Sequence, residues 1–293
     1  MPVQQLTYPS LLQVDALEEN ALEVLGLIRS MKNTFALVNR MPLDVFSLIP
    51  EYWDRHERDK ETIKLTHVCH NWRELFTSRP SLWNRLDCVD VDKTCAYLER
   101  SKSSPLEISL KGGNTPDRTD ALRLVGPHVD RIKSLAAIGA WEDVLSDIVP
   151  YFSCPVPLLE HLSIVIRAPN FSTLDRALFN GDLSSVRTLE LEGVVTGLPW
   201  RNPSNLTSFS LSRMAADKIT ITILLDFFEH APMLRRVTLA GSIPLTSNAL
   251  PERVVSLPRL EEFVFSLILL KSTWAYVENR NSYNCTDRAE ATS

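Results

Sequence analysis

Residues 39–50 read NRMPLDVFSLIP, and residues 63–86 read IKLTHVCHNWRELFTSRPSLWNRL. Both are short apolar patterns at helical spacing, each stopped by a proline. In the first, Pro42 suits an opening turn, where its missing N–H costs nothing. Met41, Val45, Leu48 and Ile49 share one face with Phe46 beside it. Pro50 closes the segment, because the residue before a proline is pushed out of the helical region. In the second, Leu65, Val68, Cys69, Trp72 and Phe76 recur at three and four residues, with Ile63 and Leu75 on the flanks. This predicts one helix ending at Arg79-Pro80, followed by Leu82 and Trp83 as a last apolar anchor. The charged run between the two, EYWDRHERDK, predicts a solvated connection. A segment this small buries too little surface to be securely stable alone, so it is expected to lean on a partner.

The order Met41-Pro42, Asp44, Val45, Ile49, then Val68-Cys69-His70-x-Trp72, then Pro80-Ser81-Leu82-Trp83 resembles an F-box. More narrowly it resembles the F-box proteins abundant in mushroom-forming fungi. Val91-Asp92-Lys93-Thr94, Leu98-Glu99-Arg100-Ser101 and Pro105-Leu106 extend the likeness to about residue 110. The resemblance implies a three-helix module that docks on the Skp-type adaptor, and through it the cullin, of an SCF-type ubiquitin ligase. Carried onto this chain, the implied adaptor contacts are Pro42, Leu43, Val45, Leu48, Ile49, Val68 and Trp72. Met41 stands where the family has leucine, Asp44 where it has glutamate, and Pro50 where an aromatic residue is frequent.

Upstream, Leu11, Val14, Leu17, Ala21, Val24, Leu25, Ile28 and Met31 form one stripe of an amphipathic helix, with Ser10 placed to cap it. Packing onto the following module is the expectation; a coiled-coil contact over about three heptads is the alternative.

Downstream, Asp87, Asp90 and Asp92 lack the glycine and terminal glutamate of a calcium loop, and Asp92 is placed to start a helix over 93–101. Leu106–Leu110 alternates like a strand. An L-x-x-L-x-L pattern then recurs as Ile132/Leu135/Ala137, Leu159/Leu162/Ile164, Val186/Leu189/Leu191, Leu206/Phe209/Leu211, Leu234/Val237/Leu239 and Leu260/Phe263/Phe265. Its starts lie 27, 27, 20, 28 and 26 residues apart. This range is similar to leucine-rich repeats, with one short strand per unit. Helical patterns at 141–151 (Val144, Leu145, Ile148) and 222–230 (Leu224, Leu225, Phe227, Phe228) fill two of the returns. The asparagine that usually ladders the turn is replaced by Val194, Met214 and Ser242. An ordinary α/β domain with similar strand spacing is the alternative. The polar strand positions Ser163, Glu190, Ser210 and Thr238 alternate with core leucines and are candidates for target binding by geometry.

The expected organisation is an N-terminal helix (1–38), an F-box module (39–86), an irregular leucine-rich-repeat-like strand–helix solenoid (87–272) and a flexible tail (273–293). The fold class is thus α+β or α/β. No polar cap follows Leu267–Leu270, so the array is expected to be short or cut off there. The net charge of −5 and the absence of a Lys/Arg run argue against a nucleic-acid partner. Five scattered cysteines form no C-x-x-C pair, and His67, Cys69 and His70 do not converge as ligands, so no metal is expected. There is no charged-then-apolar leader, and Phe263–Leu270 is too short to span a bilayer, so a cytoplasmic or nuclear location without a membrane partner is expected. No nucleophile elbow, H-E-x-x-H, Walker loop or dinucleotide fingerprint occurs, so the chain reads as a binding protein needing no cofactor. The alternative function is a leucine-rich-repeat scaffold outside any ligase.

Overall fold

The computed structural model describes residues 10–53, 58–111, 116–139, 151–167, 172–173, 178–195, 201–213, 221–241 and 254–266. Four expectations fall outside them: the helix at 141–151 but for its last residue, the turn positions Met214 and Ser242, the array end at Leu267–Leu270, and the tail at 273–293. The chain divides into two compact units, residues 1–82 and 83–293.

The first unit is helical. Helix α1 spans Leu11–Thr34. Ser10 precedes it in extended conformation, and its N–H donates to Gln13 Oε1 at 2.9 Å. The expected packing of α1 onto the following module is not what forms, since none of its residues is buried. The chain leaves α1 through a 3₁₀ turn at Leu37–Arg40, pinned by Asn39 Nδ2 donating to the Asn33 carbonyl at 2.5 Å. Helix α2 (Leu43–Leu48) follows Pro42, and the chain continues through Pro50 as a 3₁₀ turn, Ile49–Tyr52.

The single helix expected over 63–76 is two, α3 (Arg58–Thr66) and α4 (His70–Thr77). The break falls at Cys69, which is fully extended at φ −160°, ψ 172°. Thr66 turns its hydroxyl back to the Ile63 carbonyl at 2.7 Å, and Arg73 Nε donates to the carbonyl that Thr66 leaves free, at 3.0 Å. Side chains thus replace the backbone bonds lost at the break. The apolar spacing of Leu65, Val68, Cys69 and Trp72 continues across it, which is why periodicity alone joins the two helices.

In the second unit eight strands form one parallel sheet, added strictly in chain order with one small ribbon beside it. They are β1 (Arg85–Leu86), β2 (Leu106–Lys111), β3 (Ile132–Gly139) and β4 (His161–Ile166), then β6 (Thr188–Glu192), β8 (Ser208–Ser212), β9 (Arg236–Ala240) and β10 (Glu262–Ser266). The ribbon pairs β5 (Ser172–Thr173) with β7 (Val194–Val195). Every copy of the repeated apolar pattern yields a strand, and Leu106–Leu110 supplies β2.

The register explains why. Leu135, Leu162, Leu189, Phe209 and Val237 are successive partners across the sheet, as are Ala137, Ile164, Leu191, Leu211 and Leu239. All ten are buried. With a side-chain period of two, one register places both rows in the core, and a one-residue slip would expose both. Helix α7 (Ile221–Glu229) covers this face near β8, with Phe227 and Phe228 at 5.0 and 5.9 Å from the Phe209 ring. Before it come α5 (Val91–Ser101) and α6 (Pro116–Val125). Asp90, not Asp92, caps α5, accepting from the Lys93 N–H at 2.6 Å.

Trp83, expected as the anchor of the helical module, belongs to the sheet unit. It is fully buried, edge-on to Tyr97 at 5.1 Å, with the Arg100 guanidinium 4.5 Å above its ring. Among the described residues, no helix is long and apolar enough to cross a membrane.

Candidate functional site

In the helical unit the core is aromatic. Phe46 is buried, 4.6 Å from Trp72 and 5.3 Å from Phe76, and Trp72 meets Phe76 edge-on at 6.1 Å. Such pairs add about 0.5–1.5 kcal/mol each beyond the area they bury. Trp72 is half-buried, and its indole N–H donates to Asn39 Oδ1 at 2.6 Å. Asn39 therefore ties the end of α1 to the aromatic core, a role that its place before an apolar pattern does not announce.

With Phe46 buried, the other described side chains of α2 are exposed. Val45 is 48% exposed, Leu48 44%, Ile49 37%, and Val68, on the turn between α3 and α4, 55%. Pro42 is exposed beside them in sequence. Leu43 opens α2, and its side chain is not among those described. Of the seven implied contact residues, Trp72 thus lies partly in the core, while five are on the surface. Fully covering four half-exposed aliphatic side chains stabilises an assembly by about 1 kcal/mol each.

On the sheet, Ser163, Glu190, Ser210 and Thr238 are direct register partners on β4, β6, β8 and β9. They form one straight row, about 14 Å long at the usual strand spacing. Ser163 Oγ donates to Glu190 Oε2 at 2.7 Å. Val264 on β10 continues the row. Sequence reasoning left out the flanking rows. On one side run His161, Thr188, Ser208, Arg236 and Glu262, and on the other Glu192 and Ser212. Stepping two residues along each strand was enough to find them.

A depression of about 430 Å³ lies where the chain enters these strands, lined by Leu158, Arg187, Asn205, Met233, Arg235 and Arg259 among others. Residues there also ladder from strand to strand. Lys133 reaches Glu160 at 3.7 Å, and Arg235 donates to Glu261 at 3.2 Å. Ser185 in the same wall donates to the Val156 carbonyl at 3.3 Å. The lining thus presents cationic, amide and thioether groups.

Cys88 is fully buried, and burial, then the Asp87 carboxylate, push its thiol up to about 12. It is held as a neutral thiol, the opposite of an activated nucleophile. Compared with known proteins, the chain matches no family model and no curated sequence.

Proposed function

We propose that this chain is an F-box-type substrate receptor. Its helical unit docks a Skp-type adaptor, and its sheet, read as a leucine-rich-repeat-like platform, holds a target protein for ubiquitin transfer. The observation that carries the reading is the outward apolar face of α2 and the α3–α4 turn, set on a closed aromatic core. Three short helices, α2, α3 and α4, lie in this stretch, and the reading takes them as the three-helix module of the resemblance. Pro42, Val45, Leu48, Ile49 and Val68 supply the adaptor contact, and Trp72 holds α2 in place from behind. The polar row from Ser163 to Thr238 supplies a target contact of a different chemistry. No bond is made or broken by the chain itself. It acts by holding the target near the ubiquitin-carrying enzyme, which raises its effective concentration there.

Co-expression with a Skp-type adaptor tests this. The wild-type chain is expected to co-purify with the adaptor, and the Pro42→Ala, Leu48→Asp, Ile49→Asp variant to lose it while remaining folded. Retention by that variant would overturn the assigned surface. Failure of the wild-type chain to bind would favour a scaffold without ligase function.

A further inference from the structure

Helix α1 carries a feature that adaptor docking does not use. From Val14 one set of apolar residues runs Val14, Leu17, Ala21, Val24, Ile28, Met31 and, just past the helix end, Phe35, alternating three and four residues without a slip. That spacing is the seam of a two-helix coiled coil. Among the described residues nothing covers the seam: Leu17 is 64% exposed, Ile28 46% and Met31 66%. Helices in proteins draw most of their stability from packing of an apolar face, and this one has no such cover among the described residues. Gly26 makes it weaker, since a mid-helix glycine costs about 1 kcal/mol against alanine. It also lies off the seam, where an added Cβ meets nothing within 4 Å. The following module does not cover the seam, because its core is already filled by Phe46, Trp72 and Phe76.

The flanking residues select the cover. The acidic Asp15, Glu18, Glu19 and Glu23 outnumber the basic Arg29 and Lys32, the wrong sign for an anionic lipid surface. They do suit another copy of the same helix. We infer that α1 pairs antiparallel with α1 of a second copy of this chain. With Val24 opposite the partner's Ile28, Ala21 meets the partner's Met31, small against large, and Leu17 meets the partner's Phe35. The same register sets Glu18 beside the partner's Lys32, twice by symmetry, and places Leu25 and Leu27 each against its own copy. A parallel pair sets Gln13 beside Glu18, Asn20 beside Leu25 and Leu27 beside Lys32, with no opposite charges matched. The pairing draws nothing from the adaptor reading and gives a receptor with two target faces.

Sedimentation equilibrium of the full chain, alone and at tens of micromolar, tests it. The expected mass is twice the 33.2 kDa of the chain. Ile28→Asp is expected to give the single-chain mass with the thermal transition of the folded units kept. Glu18→Lys is expected to weaken the dimer about tenfold at low salt, as reversal of two exposed pairs allows. Adding Lys32→Glu to that variant is expected to restore it. A single-chain mass for the wild type, a dimer indifferent to Ile28→Asp, or a charge swap that fails to restore pairing would each overturn the inference. No adaptor is present, so the outcome is independent of adaptor docking.

Discussion

Gly193 follows β6 with φ +67°, and its N–H donates to the Ser212 carbonyl at 3.1 Å. On its other side a Cβ would stand 2.0 Å from the Ile166 carbonyl oxygen and 3.1 Å from its carbon. Gly193→Ala therefore meets two costs. Holding an L-residue in the left-handed region costs about 1–2 kcal/mol. Relieving the clash means separating the ends of β4 and β6, because the obstacle is backbone and the residue is pinned to β8 as well. Loss of even one ladder bond adds about 1–2 kcal/mol. The sum, about 3 kcal/mol, corresponds to a fall in Tm of about 6–12 °C for a unit of this size. Differential scanning calorimetry of the full chain measures it. Gly26→Ala is the control, since that site is open and helical; it is expected to leave the sheet transition in place and to raise helix content. A Gly193→Ala melt within 1–2 °C of wild type would refute the close approach of β4 and β6 on which the repeat register rests.

Three further outcomes follow from the same geometry. Thr62 in α3 is fully buried, and its hydroxyl has no partner among the described residues, so Thr62→Val is expected to stabilise the chain by about 1 kcal/mol in urea titration. Cys88, with a thiol near 12, is expected to resist iodoacetamide at pH 8 in the folded chain while exposed Cys95 reacts. A raised thiol pKa keeps the folded state protonated where the unfolded chain has ionised. This contribution is therefore constant below about pH 9 and is lost by about 1.4 kcal/mol per unit as pH rises from there toward 12, a loss that Cys88→Ser should abolish. Glu190→Lys, in the polar row and bonded to Ser163, is expected on the proposed function to abolish target capture from lysate without changing adaptor binding or Tm by more than about 2 °C.

The sheet was legible because one constraint repeats. Each strand needs two inward apolar residues two positions apart, and Leu162/Ile164, Leu189/Leu191 and Phe209/Leu211 satisfy it in turn. The polar row from Ser163 to Thr238 came with it, since alternation fixes both faces at once. The helical unit was harder to read. Helix α2 is six residues long, too short for a period to say which apolar side is core, and the structure turns Phe46 inward and Val45, Leu48 and Ile49 outward. The break at Cys69 was hidden because apolar spacing runs through it and the backbone bonds are replaced by Thr66 and Arg73. Periodicity in α1 identified an apolar stripe but not its cover, which depends on tertiary packing. Strand β1 has only two residues, too few to alternate.

The most direct test of adaptor docking is calorimetric titration of the purified chain with a Skp-type adaptor. Putting a carboxylate into a covered apolar face costs about 3 kcal/mol, or about a hundredfold in affinity. The prediction is sub-micromolar binding by the wild type, a loss of about that size for Leu48→Asp or Val68→Asp, and no change for Glu190→Lys. Equal binding by wild type and Leu48→Asp, or no heat of binding at tens of micromolar, would contradict it.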